Sequence, residues 1–161
     1  MSSRLAPDLT LRPSQPDDAD FLLALYASTR EEELAVVPWT DEQRDAFLRQ
    51  QFTAQDMYWR GLRPNADWDV VEVDGRPVGR FYVDRMDDEI RIVDIAIAPD
   101  HRDRGIGSAL IAGVLAEARC SGRRVTIHVE RANRARALYE RLGFVQIDST
   151  GVYDLLEWRA T

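Results

Sequence analysis

The stretch from Ile92 to Ile111, "IVDIAIAPDHRDRGIGSALI", joins a run of β-branched residues to an apolar helical repeat across a short polar turn. The run up to Ala98 reads as a strand, and Pro99, which cannot donate to a ladder, ends it. Beyond Gly107, the residues Leu110, Val114 and Ala118, with Ile111 and Leu115, recur at helical spacing, and Gly122 suits the C-terminus of that helix. Gly105 and Gly107 therefore stand where the helix must nucleate, although glycine is one of the weakest helix formers. A strand, a tight turn and a helix start leave backbone N–H groups without intrahelical partners, and such groups make an anion site. Glycines let that backbone approach a phosphate with no side chain in the way. A dinucleotide fingerprint, G-x-G-x-x-G, would need glycine where Leu110 stands, and a phosphate loop ending in G-K-[ST] fails because Ser108 follows Gly107 directly. The pattern that remains is R-x-x-G-x-G, carried by Arg102, Gly105 and Gly107.

Within the strand the apolar phase slips, from Ile90 and Ile92 to Val93, Ile95 and Ile97. Either both faces are buried or a bulge resets the alternation. Upstream, "DLTLR" reads as a first strand, and Ser14 to Thr29 as a helix with Pro16 in its first turn and Phe21, Leu22, Leu25 and Tyr26 on one face. Thr40 and Gln43 have capping-box spacing for a second helix that reaches about Tyr58 and turns Phe47, Leu48 and Phe52 inward. Trp68 to Met86 reads as a hairpin around Asp74-Gly75.

Downstream, Arg124 to Glu130 reads as a strand with Val125, Ile127 and Val129 on one face and Thr126, His128 and Glu130 on the other. Arg134 to Gly143 follows as a short helix whose Ala135, Leu138, Tyr139 and Leu142 share a side. Two strands, "FVQIDS" and "VYDLLEW", complete the order. The expected fold is α/β or α+β around one central sheet, in a single domain over residues 1–161.

Hydrophobic residues make up 45% of the 161 residues and charged ones 30%, which suits a globular chain with its own core. No apolar run is long enough to span a bilayer, so a cytoplasmic protein without membrane contact is expected. Cys120 is expected as an inert, half-buried thiol late in a helix. The net charge of -7 disfavours a nucleic-acid partner. Yet Pro99 to Arg141 holds nine arginines against five acids, a local +4 in a chain whose remainder carries -11. That asymmetry points to one anionic ligand held locally. Every one of the 21 basic residues is an arginine.

With these residues in view the chain resembles the GNAT superfamily of acetyl-CoA-dependent N-acetyltransferases. "IVDIAIAPDHRDRGIGSALI" is similar to that family's cofactor motif, and "HVERANRARALYERLGF" to its second signature, an asparagine followed by "LYERLGF". The resemblance covers nearly the whole chain. It implies a mixed, mostly antiparallel sheet of about six to seven strands, splayed at a bulge and flanked by about four helices. It implies that the backbone of Asp103, Arg104, Gly105, Ile106, Gly107 and Ser108 wraps the pyrophosphate of coenzyme A, with Arg102 and Arg104 assisting. It also implies that Ile95, Ala96 and Ile97 pair with the pantetheine arm like an extra strand, and that Asn133 contacts the cofactor. Asn133 lies one residue nearer to Tyr139 than in many members, and Arg134 replaces their proline.

Acetyl transfer to an amine needs a deprotonated nucleophile at the thioester, a donor to the developing oxyanion and a proton for the leaving thiolate. The resemblance makes Tyr139 the general acid and places a backbone N–H near Ile97 at the carbonyl. His128 is the expected base, since an imidazole titrates near neutrality, with Glu130, Asp94 or water as alternatives. The acceptor is expected to be the primary amine of a small molecule or peptide, bound around Thr29 to Trp39 with Glu31, Glu32 and Glu33, Tyr58, Trp59 and Tyr153. No metal is expected, and a homodimer is the expected assembly. A module that binds acyl-CoA without turnover is the competing reading. An enzyme acting on aminoacyl-tRNA would need a basic surface that the -11 remainder does not supply.

Overall fold

The computed structural model describes residues 8–131 and 133–161. Seven strands form one sheet: β1 (Leu9–Pro13), β2 (Asp67–Val73), β3 (Arg76–Arg85), β4 (Glu89–Ile97), β5 (Arg124–Glu130), β6 (Val145–Ser149) and β7 (Tyr153–Trp158). Their order across the sheet is β1-β2-β3-β4-β5-β7-β6. Every neighbouring pair is antiparallel except β4 and β5. A parallel pair needs a crossover, and the helix α4 (Ile106–Ser121) supplies it.

The remaining helices are α1 (Ala19–Thr29), α2 (Glu31–Ala35), α3 (Asp41–Leu62) and α5 (Arg136–Arg141). The short α2, built on the acidic run Glu31 to Glu33, adds a fifth helix where about four were expected. The hairpin turns where the sequence places it: Asp74 and Gly75 have φ of 53° and 76°, both left-handed, as a tight two-residue turn with the right twist demands. Thr40 accepts from the Gln43 N–H while Gln43 accepts from the Thr40 N–H, closing the expected capping box of α3.

Two layers of helices follow from the side-chain alternation. Phe81, Val83, Ile90, Ile92, Val125, Ile127 and Val129 point to one face and pack with Leu110, Ile111, Val114 and Leu115 of α4 and with Tyr139 of α5. The opposite face of β3 carries Arg80, Tyr82 and Asp84, all buried and bonded to or stacked on side chains of α3 and the residue after it. A smaller cluster of Tyr26, Leu34 and Leu48 ties α1, α2 and α3 together. Among the described residues, no helix is long and apolar enough to cross a membrane. Cys120 is exposed rather than half-buried, because it lies on the outward side of α4.

Candidate active site

The ladder between β4 and β5 covers four residue pairs, from Glu89 opposite Arg124 to Ile92 opposite Ile127. At that point β4 bulges: Val83 faces Ile92 and Tyr82 faces Asp94, so Val93 is the extra residue. The bulge is the phase slip of the sequence, and it lets Ile95 and Ile97 share the α4 face with Ile92. Beyond it β4 stays with β3 while β5 stays with β7, and the sheet splits.

The Ala98 N–H donates to the Val78 carbonyl at 2.7 Å. Alternation along an antiparallel pair therefore turns Ala96 toward β3, and turns the main-chain groups of Ile95 and Ile97 toward the split. The Ile97 carbonyl there accepts from Arg102 Nε at 3.0 Å. Arg102, expected at a phosphate, thus ties the following turn to the strand end.

That turn runs through Pro99–His101 into two left-handed residues, Asp103 with φ of 61° and Gly105 with φ of 80°. The first helical bond of α4 goes from the Ala109 N–H to the Gly105 carbonyl. No side chain caps this end, so the N–H groups of Ile106, Gly107 and Ser108 have no intrahelical partners. A Cβ at Gly105 would meet nothing within 4 Å, and one at Gly107 only Leu138 Cδ2 at 3.9 Å. The space that side chains would fill is left open by the protein itself, which fits an external anion approaching the backbone. Beside it lies a cleft of about 280 Å³ lined by Leu9, Val73, His101, Arg104, Ile106 and Ala109. His101 Nδ1 is buried nearby without a hydrogen-bond partner among the described residues.

Tyr139 is 2% exposed and stacks edge-on against Phe144. Its hydroxyl bonds no described residue, and burial together with the charge of Asp94 pushes its pKa well above the ordinary tyrosine value. The phenol stays protonated at neutral pH, as a donor must. Asp94, just past the bulge, accepts from Arg80 Nε at 2.6 Å. Arg80 is itself 3% exposed and wedged between the rings of Trp59 and Tyr82.

His128 is the first residue of β5 beyond the split, on the face opposite Val129. Its Nδ1 lies 3.2 Å from Arg91 Nη1. A guanidinium can only donate, so Nδ1 accepts and the proton sits on Nε2. That arrangement suits a hydrogen-bond donor and argues against the base role expected for His128. Glu130 is exposed at the strand end. Asn133 Oδ1 accepts the Ala135 N–H at 2.8 Å, a local turn that starts α5.

Of the expected acceptor region, Tyr153 lies within electrostatic reach of Arg30, Glu33 and Glu130. Trp59 instead covers Arg80, while Tyr58 is exposed and Trp39 stacks on Phe47.

The sequence matches the model of the acetyltransferase (GNAT) family over residues 23–144. The chain belongs to the GNAT family. A GNAT relative, an uncharacterised N-acetyltransferase of Methanocaldococcus jannaschii, is 29% identical over 145 residues, covering 84% of this chain. The aligned region spans 60% of that relative's length. The GNAT fold is equally plain in solved structures. The PaiA N-acetyltransferase of Thermoplasma acidophilum, solved with coenzyme A, superposes with a TM-score of 0.71 at 14% identity, over 94% of this chain and 99% of that one. Ard1 of Thermoplasma volcanium gives 0.63 at 20% identity, over 96% and 99%. At such identities the likeness speaks for the GNAT fold alone.

Sequence reasoning missed Arg80 and Arg91. Each is an arginine inside a β-rich run, a residue type seldom buried without a partner, and that oddity was the available signal.

Proposed function

We propose that this GNAT protein transfers an acetyl group from acetyl-CoA to a primary amine of a small molecule or peptide, by direct attack on the thioester in a ternary complex. The observation that carries the reading is the split between β4 and β5. It is a strand edge inside the sheet, running from the uncapped start of α4 to the region of Asp94, whose charge acts on the Tyr139 hydroxyl.

In this reading the amides from Asp103 to Ser108 hold the pyrophosphate, and the main chain of Ile95 and Ile97 pairs with the pantetheine arm. The Ile97 N–H polarises the thioester carbonyl. Tyr139, kept protonated by burial, donates to the departing sulfur. Asp94 Oδ1 bonds no described residue, and with Nδ1 of His128 engaged it is the acceptor available for the amine's proton.

Thermal-shift measurement with acetyl-CoA, followed by thiol release across a panel of amines, tests this. Acetyl-CoA should stabilise the protein, and Tyr139→Phe should lower kcat about 100-fold or more with little change in acetyl-CoA affinity. Stabilisation without thiol release would make the protein an acyl-CoA-binding module. No stabilisation by acetyl-CoA or coenzyme A would sink the proposal, and unchanged turnover in Tyr139→Phe would remove the acid.

A further inference from the structure

His128 is exposed, yet a chain of buried and half-buried groups leads to its ring. Arg124 donates to Glu157 at 2.7 Å and to Glu89 at 2.8 Å. Glu89 also accepts from Thr126 Oγ1 and from Arg91 Nη2. Arg91 Nε donates to Thr126 Oγ1 at 2.7 Å, and Arg91 Nη1 reaches His128 Nδ1. Thr126 is 0% and Glu89 8% exposed. A plain surface histidine needs no such support. This one sits at the apex of the split, and its single tautomer offers Nε2–H as a donor.

The surroundings say what that donor meets. Burial and the charges of Arg91 and Arg63 hold the imidazole pKa below its usual value, against the weaker pull of Asp148 and Glu89, so the ring is neutral. Arg91 uses three of its five N–H groups in the network. Arg63 bonds Asp84 through Nη1 at 3.0 Å, and its other N–H groups bond no described side chain. An N–H donor backed by the Arg91 guanidinium and lying in the positive field of Arg63 favours an oxyanion. Across the apex, on the same face, the free oxygen of Asp94 favours an amine. At the apex, His128 and Asp94 therefore present opposite preferences on either side of the split.

We infer that the acceptor is an amine bearing a carboxylate, of the amino-acid type, and that His128 Nε2–H, backed by Arg91, binds that carboxylate. This rests on the transferase reading and names the substrate class for it. His128 is then a specificity residue, and no proton leaves or joins its ring during turnover.

The test is thiol release from acetyl-CoA with free amino acids, their amides and the corresponding decarboxylated amines, using the wild type, His128→Ala and His128→Gln. For the best free amino acid, kcat/KM should exceed that of its amide by about tenfold or more, as loss of a charge-assisted hydrogen bond requires. His128→Ala should erase this preference mainly through KM while leaving acetyl-CoA affinity intact. His128→Gln, which keeps an N–H donor but no basic nitrogen, should restore part of it. In parallel, nitrogen-15 spectra of the coenzyme A-bound protein near pH 7 should show a neutral His128 ring protonated at Nε2. The inference is overturned if amides or simple amines react as well as the acids, if amines react but no free amino acid does, if the preference survives in His128→Ala, or if the ring is charged or protonated at Nδ1. If acetyl-CoA does not bind, or binds and no amine reacts, the transferase reading falls and takes the inference with it.

Discussion

Gly107→Ala separates what the fold needs from what the ligand needs. The new methyl would meet only Leu138 Cδ2 at 3.9 Å, an ordinary contact, and the residue has no positive φ to forbid a side chain. Replacing glycine in a helix stabilises by about 0.5–1 kcal/mol, chiefly through the unfolded chain. In a chain of 161 residues each kcal/mol moves Tm by roughly 2–4 °C, so the unliganded variant should melt about 1–4 °C higher. Ligand response should move the other way. At a concentration 100 times Kd, acetyl-CoA contributes about 2.7 kcal/mol to the wild type, a rise of about 5–11 °C. A methyl in the anion's path that weakens binding about 100-fold would leave only about 0.4 kcal/mol, or roughly 1 °C. Scanning fluorimetry with and without acetyl-CoA reads both effects. A lower melting point without ligand would mean that the fold itself requires glycine here. A full ligand shift would mean that this backbone is not the anion's cradle.

Gly79 offers the opposite case: a Cβ there would lie 2.4 Å from the Ala96 carbonyl oxygen and 2.9 Å from Ile97 Cδ1. Gly79→Ala should cost about 1–3 kcal/mol, read as a lower urea midpoint, and an unchanged midpoint would refute the close approach. Asp18 accepts two bonds from Arg12 at 2.8 Å and one from the Gln15 N–H at 2.7 Å, which pull its pKa to about 2. A carboxylate depressed in this way adds stability that is present above about pH 4 and lost as pH falls toward 2. Asp18→Asn should therefore be destabilised at pH 6 and indistinguishable from wild type near pH 2; a gap constant across that range would contradict this.

What the sequence made legible is what local chemistry encodes. Asp74-Gly75 announces its turn because few residues tolerate two successive left-handed conformations. Thr40 and Gln43 announce a helix start because the cap closes within four residues. The phase slip that the bulge at Val93 resolves was visible too, since a strand period of two records any extra residue as a change of phase, though burial of both faces would read the same. The partners of Arg80 and Arg91 were not visible. Asp94 stands 14 residues from Arg80, and Thr126 and His128 stand 35 and 37 from Arg91, so only the strand register brings them together. The arginine beside His128 was hidden for the same reason: the residue's titration class was plain, but not the guanidinium 3.2 Å from its Nδ1. Nothing local marks Gly79, because the crowding there comes from the backbone of a neighbouring strand.

The bulge at Val93 also creates a hazard. An unpaired strand edge is a template for any extended chain, and proteins usually keep such edges short, charged or covered at the periphery. Here one lies in the middle of the sheet, where β4 parts from β5. By bonding the Ile97 carbonyl, Arg102 takes one acceptor from that edge while leaving the Ile97 N–H open. The arginine of R-x-x-G-x-G thus occupies a carbonyl that the open edge would otherwise offer.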